Sequence, residues 1–178
     1  MENLLPKAKQ GNFHLLKLAK KEQLTKNTFS MEFEVPENLK SNFQFEAGQY
    51  VTLKYPSKGE IYYNDFSMTS APYEEKIALG IKINTEESST KDLYNDFQIG
   101  DLVEVSEPKG RFTLVSKPHE FRTIIGFAGG IGITPLISHF KNILHNEPRT
   151  RLFLFYGNKT RDGVPFKNEL DELISQHK

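Results

Sequence analysis

The chain has 178 residues, 37% of them hydrophobic, which is enough for a hydrophobic core in one ordinary domain or in two small ones. Its 23 basic and 23 acidic residues balance, so the charge predicts neither a nucleic-acid partner nor an acidic membrane surface. Cysteine is absent, which excludes disulfides, a cysteine nucleophile and an iron–sulfur cluster held by this chain.

The first residues, 1–12, show little pattern and are predicted to form an N-terminal arm. They carry lysines and lack the apolar core of a signal peptide, and the sequence contains no apolar run of membrane-spanning length. We therefore expect a cytoplasmic protein that does not bind a membrane.

Residues 13–118 carry the pattern of β-strands. Apolar and polar residues alternate over residues 29–35, 51–55 and 77–83, as expected of strands that bury one face. Many short strands predict a closed antiparallel barrel or a sandwich. Residues with turn preference separate the strands at Pro36-Glu37-Asn38, Pro56-Ser57-Lys58-Gly59, Ala71-Pro72 and Gly100-Asp101.

Beyond Pro118 the spacing of the apolar residues changes from that of successive strands to that of alternating strands and helices. We place a domain boundary there. An apolar strand at 122–127, predicted to be buried, is followed by a helix at 135–144 and a strand at 151–156. A last helix carries one apolar stripe. This βαβα order predicts an α/β lobe with a parallel pair of strands over residues 119–178, hereafter the nucleotide lobe. Open nucleotide-binding sheets have about five or six strands, so the lobe is predicted to be truncated. The stripe consists of Phe166, Leu170, Leu173 and Ile174.

A glycine-rich turn joins the first strand and helix of this lobe. Gly129, Gly130 and Gly132 would let a ligand approach the backbone, and the N–H groups at the helix start attract phosphate. Thr134 is predicted to be the N-cap, with Pro135 in the first helical position. The Gly-x-Gly pair matches a dinucleotide fingerprint, although a proline stands where the third glycine would be. The alternative is a turn that serves only strand–helix packing.

The order of these motifs resembles the ferredoxin–NADP reductase superfamily, whose members carry a flavin-binding Greek-key barrel before a nicotinamide-binding lobe. Asn64-Asp65-Phe66-Ser67 lies where that family has its flavin motif Arg-x-Tyr-Ser. Other motifs in the family's order are Gly48-Gln49-Tyr50-Val51, Ser70-Ala71-Pro72, Thr90-Lys91, Gly100-Asp101, Glu107-Pro108-Lys109-Gly110-Arg111-Phe112 and Gly130-Ile131-Gly132-Ile133-Thr134-Pro135.

The resemblance implies a flavin site in the barrel. The family's aromatic packs on the flavin ring and its serine hydroxyl reaches the flavin N5, so Phe66 and Ser67 are expected to do the same, with Ser67 as the catalytic residue. Asn64 replaces the arginine that neutralises the flavin phosphates, and an asparagine offers only neutral hydrogen bonds. Thr90 is expected to hold the pyrophosphate, with Lys82 or Lys91 as the substitute cation.

Because of that replacement, we expect this chain to retain flavin less tightly than relatives that have the arginine. Each residue also has a plainer interpretation: Phe66 as a barrel core aromatic, Thr90 as a helix cap, and Lys82 and Lys91 as solvated lysines. His139, beside the apolar stripe of the lobe's first helix, is predicted to lie at the surface. The histidines have no partners at metal spacing, so no metal site is predicted.

On the nicotinamide side, Gly129, Gly130, Gly132 and Thr134 are expected to hold the dinucleotide. The loop after the second strand, which reads the ribose, contains Lys159 and Arg161 with no acid before Asp162, which favours NADPH over NADH.

The function that the resemblance implies is a flavoprotein oxidoreductase that passes hydride from NAD(P)H to FAD and electrons to an acceptor, such as an iron–sulfur protein or an oxygenase component. An alternative is a binding or scaffold module that retains the barrel without catalysis. A barrel that binds oligosaccharides or nucleotides is disfavoured, because the aromatics fall mostly at core-facing positions.

Overall fold

The computed structural model describes residues 12–177, so all but the last residue of the predicted N-terminal arm lies outside the described part. Six antiparallel strands form one sheet, with a short helix α1, Ser89–Asp96, between the fifth and the sixth. The strands are β1 Phe13–Thr25, β2 Thr28–Glu34, β3 Tyr50–Ser57, β4 Glu60–Ser67, β5 Lys76–Lys82 and β6 Leu102–Ser106.

The sheet curls into a barrel. The strand order is β4-β3-β6-β1-β2-β5, so the connections from β2 to β3 and from β5 to β6 skip neighbours, as in a Greek key. The two edge strands meet just beyond β4, where Met68 bridges Leu79 and the Thr69 amide donates to the Ala78 carbonyl at 2.7 Å. The predicted antiparallel barrel is therefore confirmed.

Inward-facing residues of the alternating runs fill the barrel, because successive side chains of a strand point to opposite faces. In β2, for example, Phe29, Met31 and Phe33 are fully buried. The core also contains Leu16, Leu18, Val51, Leu53, Tyr55, Ile77, Leu79, Ile81, Leu93, Val103 and Val105.

The turn between β3 and β4 is shorter than the sequence predicts. Pro56 and Ser57 belong to β3 and pair with Ile61 and Glu60 of β4. Only Lys58 and Gly59, with φ of 52° and 79°, form the turn, as expected of a two-residue hairpin that needs positive φ at both positions. β3 pairs with β6 at Leu53 and Lys54, so the ladder on that side ends before the proline.

The nucleotide lobe contains β7 Arg122–Gly129, α2 Thr134–Asn146, β8 Thr150–Gly157 and α3 Lys167–Gln176. Strands β7 and β8 pair in parallel, which confirms the βαβα prediction. Phe166 was predicted within the last helix, but it precedes α3 with φ of 59° and is buried against Ile133 and Ile137. No helix in residues 12–177 is long and apolar enough to span a membrane.

β7 is not buried on both faces as predicted. Ile125 and Phe127 are 53% and 74% exposed, and the Phe127 ring stacks on Phe155 of β8 at 5.0 Å. On the other face Gly126 lets the ring of Phe140 approach closely, because a Cβ there would lie 2.8 Å from it. Helices α2 and α3 thus cover one face, and no element of residues 12–177 covers the other.

Residues 107–121 connect the barrel to the nucleotide lobe without a helix or strand. The predicted domain boundary after residue 118 falls in this segment and stays a prediction.

Helix α2 attaches the nucleotide lobe to the barrel through polar contacts. The Ser138 hydroxyl donates to the Ser70 carbonyl at 2.6 Å, and His139 Nε2 lies 2.8 Å from the Phe112 carbonyl. Lys141 lies one turn further along, between Glu74 at 3.3 Å and Glu169 at 2.5 Å. These contacts fix α2 against three separate segments.

The prediction that His139 lies at the surface is wrong, since the residue is only 3% exposed. A carbonyl can only accept, so His139 Nε2 carries the hydrogen. Burial lowers the pKa of His139, partly offset by this hydrogen bond, which keeps the ring neutral at physiological pH. The opposing residue is Gly48, with φ of 91°, whose substitution would place a Cβ 2.2 Å from Nε2.

We expect Lys141→Met to lower the free energy of unfolding by about 1–3 kcal/mol, because two carboxylates would lose their shared, largely buried cation. Lys167→Met is the matched control: Lys167 pairs with Asp171 in α3 where both side chains are more than half exposed, so a change below about 0.5 kcal/mol is expected. Thermal or denaturant unfolding measures both. Equal, small losses would show that the ion pairs of Lys141 do not contribute to holding α2.

Glu147, at the end of α2, gives a pH-dependent prediction. Its carboxylate is buried and accepts hydrogen bonds from Arg122, Thr150 and the Lys117 amide. Burial alone would raise the pKa of Glu147, but these partners hold it below its usual value. The stabilisation is therefore present above the unfolded-state pKa and is lost as the pH falls through the folded-state pKa. We expect Glu147→Gln to cost about 1–3 kcal/mol at neutral pH. The difference from the natural chain should shrink in acid, and a pH-independent difference would contradict this.

Candidate functional site

A cleft of about 610 Å³ opens where the nucleotide lobe meets the barrel. One wall consists of the end of β4, the end of β5 and the start of α1, and the other of the turn after β7 and the start of α2. Its volume lies within the roughly 300–1,000 Å³ of small-molecule sites. The cleft brings together seven of the residues predicted from the sequence: Asn64, Phe66, Ser67, Lys82, Thr90, Gly132 and Thr134.

Phe66 and Ser67, the last residues of β4, form the floor on the barrel side. Phe66 is half-buried, packs against the barrel core and is a lining residue of the cleft. The Ser67 hydroxyl makes no side-chain hydrogen bond among residues 12–177 and is free to bind a ligand. The arrangement supplies an apolar face and a hydroxyl next to each other.

Asn64 is held by two side chains of the barrel. Its Nδ2 donates to the Tyr55 hydroxyl at 2.6 Å and to Ser89 Oγ at 3.0 Å, and these two oxygens lie 3.1 Å apart. Burial raises the pKa of Tyr55, which therefore stays a neutral phenol. Both N–H groups of the Asn64 amide are thus used inside the protein, and they tie β4 to β3 and α1.

The lining of the cleft includes one basic and one acidic residue. Lys82 at the end of β5 has no carboxylate partner and no side-chain hydrogen bond among residues 12–177. Asp65 lines the same cleft and accepts a hydrogen bond from the Thr52 hydroxyl at 2.5 Å. The lining therefore contains one ammonium group without a carboxylate partner and one carboxylate that is bonded to Thr52.

Hydroxyls at the start of α1 donate their hydrogens to the backbone. The Thr90 hydroxyl donates to the Lys82 carbonyl at 3.1 Å, and Ser88 donates to the Thr85 carbonyl at 2.8 Å. Ser88 also precedes α1 as its N-cap residue, so the cap interpretation of Thr90 is wrong. Thr90 instead joins α1 to the end of β5, next to the unpaired lysine.

Thr134 donates to the Ile131 carbonyl at 3.1 Å and lies inside α2, so the prediction that it is the N-cap is wrong. The reason is that residues 130–133 already form a 3₁₀ turn that runs into the helix. The Thr134 methyl packs against Gly80 of β5, where a Cβ would lie 2.7 Å from both Thr134 Cγ2 and the Phe166 ring. Gly80 therefore allows the two walls of the cleft to meet.

The glycine turn presents open backbone. Gly130 has φ of 50°, and at Gly129, Gly130 and Gly132 an added Cβ would meet no described atom within 4 Å. The Tyr156 hydroxyl of β8 donates to the Gly130 carbonyl at 2.8 Å and so fixes the turn. Burial raises the pKa of Tyr156 to about 12, so this donor stays protonated. Of the three glycines, Gly132 lines the cleft, and Gly129 and Gly130 are not among its lining residues.

Two predicted lysines lie elsewhere. Lys91 pairs with Glu86 at 3.2 Å and borders a second cavity of about 570 Å³, between the loop after β8 and the β1–β2 turn. Lys159 is exposed in that loop. The structure thus separates the two candidate cations of the flavin site and leaves Lys82 in the cleft.

Seven further residues line the cleft that the sequence did not assign to a site. Gly80 could have been found, since a glycine inside a strand pattern indicates a close approach of other atoms. The hydroxyl-rich run 88–90 at a helix start is also a detectable signal. The others could not be placed without the tertiary structure. The seven are Asp65, Gly80, Asn84, Ser88, Ser89, Ile131 and Pro135.

These residues fit a flavin unevenly. An apolar ring face at Phe66 and a free hydroxyl at Ser67 suit the flavin ring. The amides of Ser89 and Thr90 in the first turn of α1, together with Lys82, suit a phosphate. A second cation for a diphosphate is absent from the lining of the cleft.

Two families of known proteins match successive parts of the chain. The sequence matches the oxidoreductase FAD-binding domain family over residues 15–114 and the oxidoreductase NAD-binding domain family over residues 127–178. The first match covers more than half of the chain.

NADH-cytochrome b5 reductase 1 of Candida glabrata is 31% identical over 168 residues, covering 92% of this chain and 57% of the relative. The ferredoxin reductase component of the 3-ketosteroid-9-alpha-monooxygenase of Rhodococcus rhodochrous is 31% identical over 156 residues, covering 86% and 43%. The structure of phthalate dioxygenase reductase superposes with a TM-score of 0.75 at 28% identity, covering 92% of this chain and 50% of that one.

The chain thus spans about half the length of the curated relatives it matches. The superposition on phthalate dioxygenase reductase covers 92% of the chain and so includes both the Greek-key barrel and the nucleotide lobe. The chain belongs to the oxidoreductase FAD-binding domain family, within the ferredoxin–NADP reductase superfamily.

Proposed function

We propose that the chain is a flavin-dependent oxidoreductase module in which NADH or NADPH reduces FAD and the electrons pass on to an acceptor. The observation that carries the proposal is the shared cleft, in which Phe66 and Ser67 of the barrel face Gly132 and Thr134 of the nucleotide lobe. Hydride transfer needs the two ligands in contact, and a cleft with one wall from each domain supplies that arrangement.

On the barrel side, Phe66 packs against the flavin ring, and Ser67 offers it a hydrogen bond and is the proposed catalytic residue. Lys82 and the first turn of α1, including Thr90, bind phosphate. A bound flavin supplies the redox chemistry, while the protein supplies binding and orientation. Asn64 acts indirectly, because its amide hydrogens hold Tyr55 and Ser89 in place.

On the nucleotide side, the open backbone of Gly129, Gly130 and Gly132 admits the dinucleotide, and Thr134 positions the start of α2. Lys159 in the loop after β8 supports a 2′-phosphate, which favours NADPH. One of the relatives is named an NADH-cytochrome b5 reductase, which supports NADH instead. Measured donor preference decides between them.

The names of the relatives support a protein acceptor. The phthalate dioxygenase reductase structure is described as passing electrons from pyridine nucleotides to a 2Fe–2S centre. Since this chain has no cysteine, such a centre would be held by other residues than these 178. A cytoplasmic location remains our proposal from the composition.

Anaerobic absorbance spectra test the hydride path. With FAD added to the protein, we expect NADH or NADPH to bleach the flavin absorbance, because both binding walls are present in one cleft. The relative rates rank the two donors. Flavin uptake without bleaching by either donor would contradict the proposal, and a protein that takes up no flavin would support the non-catalytic scaffold.

Lys82→Gln tests the position of the phosphate-binding cation. We expect the affinity for FMN and FAD to fall roughly tenfold through loss of one charge-assisted contact, with riboflavin unaffected. Lys91→Gln is the matched control, because Lys91 pairs with Glu86 outside the cleft. Flavin titrations followed by fluorescence measure both variants. A larger effect of Lys91→Gln than of Lys82→Gln would assign the phosphate to the second cavity.

A further inference from the structure

We propose that the flavin of this module is a dissociable substrate, selected by its ring and exchanged between turnovers, rather than a permanently held prosthetic group. The inference rests on the proposed function and names its immediate electron acceptor. NADH or NADPH gives a hydride, two electrons with one proton, to an oxidised free flavin. One proton from water completes the reduced flavin, which leaves, and NAD⁺ or NADP⁺ is released.

The charges of the cleft are the first reason. A flavin diphosphate brings two negative charges, and the cleft offers one unpaired cation, Lys82. Every other lining residue is neutral or, in the case of Asp65, acidic. Lys91, the next lysine along the chain, is neutralised by Glu86 and faces another cavity. The net electrostatic attraction for a diphosphate is therefore small.

The hydrogen-bond donors are the second reason. A phosphate oxygen only accepts, so it needs N–H or O–H groups that are not already used. Both N–H groups of Asn64 donate to Tyr55 and Ser89. A longer, charged side chain at this position could reach a phosphate, but the amide cannot do so without leaving two oxygens of the barrel without their donor.

Two of the hydroxyls around the helix start are used in the same way, while the bond between Tyr55 and Ser89 uses one of their two hydroxyl hydrogens and leaves one neutral donor. Thr90 and Ser88 donate to the carbonyls of Lys82 and Thr85, and a hydroxyl has a single hydrogen to give. Their remaining lone pairs can only accept, so they do not bind a phosphate oxygen. The Lys91 amide bonds back to the Ser88 carbonyl at 2.9 Å, so the amides of the first turn that remain available are those of Ser89 and Thr90.

The groups that recognise the ring are, by contrast, free. Phe66 reaches the cleft, and the Ser67 hydroxyl has no partner among residues 12–177. A site with intact ring contacts and one charged phosphate contact binds FMN and FAD only modestly more tightly than riboflavin. Because the phosphates add little to the binding free energy, the complex of the protein with flavin dissociates between turnovers.

Two measurements on the natural chain test this. Titrations with riboflavin, FMN and FAD should give a preference for FAD over riboflavin below roughly thirtyfold, since one charge-assisted contact is worth roughly tenfold. FAD should be lost on desalting. In the absence of oxygen, a small amount of protein with excess NADH or NADPH should bleach a large molar excess of free flavin.

The outcomes separate this inference from the proposed function. Stoichiometric retention of FAD through desalting would overturn the proposal that the flavin exchanges between turnovers. So would a preference for FAD over riboflavin of roughly thirtyfold or more. If a nicotinamide donor still bleaches the retained FAD, the proposed function holds and only the proposal of flavin exchange is wrong. Failure of either donor to reduce any flavin, bound or free, would overturn both.

The pair Asn64→Arg and Asn64→Gln tests the cause. The arginine adds a cation to the cleft and should raise the preference for FAD over riboflavin at least tenfold, whereas the neutral glutamine should not. Circular dichroism and thermal unfolding check that both variants are folded. An equal preference in both folded variants would show that the missing charge does not set flavin retention, and it would overturn this explanation. Should neither variant fold, the titrations of the natural chain still decide the proposal.

Discussion

Close contact between the nucleotide lobe and two glycines of the barrel is the constraint on which the rest of the structure depends. At Gly80, a strand of the barrel lies directly against Thr134 and Phe166, and at Gly48 the backbone meets His139 and the Phe112 carbonyl. Any side chain at these positions would push the lobe away. Because the cleft has one wall from each domain, its shape follows from how closely these atoms approach. Glycine is therefore required here for packing between domains as well as for turns.

Polar contacts fix the orientation of the nucleotide lobe against the barrel. Ser138 and His139 of α2 each bond to a carbonyl of the barrel side, and Lys141 lies between carboxylates from two other elements. An apolar interface of the same area would tolerate sliding, whereas buried hydrogen bonds are lost if the helix moves by about one ångström. The turn that precedes α2 is fixed in the same way by Tyr156. Both walls of the cleft are therefore preorganised.

The use of hydrogen-bond donors within the protein also determines the chemistry of the site. Asn64 closes a triangle with Tyr55 and Ser89 and so completes the barrel wall, and Thr90 joins α1 to β5. Groups that stabilise the barrel are then unavailable for a ligand, because each hydrogen can be donated once. What remains open is an aromatic face, the Ser67 hydroxyl, one ammonium group, two amides and the one hydroxyl hydrogen that the Tyr55–Ser89 bond does not use. That set favours recognition of a flavin ring over recognition of its phosphates.

The sequence by itself determined the elements and their order. Period-two alternation located β2, β3 and β5, the change of period located the lobe, and the glycine turn located the boundary between β7 and α2, because these signals depend on neighbouring residues. Only the tertiary structure decided that His139 is buried, that Thr134 lies within α2, that β7 keeps one face exposed, and that Lys82 rather than Lys91 faces the cleft. His139 and Phe112 are 27 residues apart, and Asn64 and Ser89 are 25 apart. Contacts between residues so distant along the chain produce no periodic pattern in the sequence. The partners of a polar group can therefore be identified only in the folded structure.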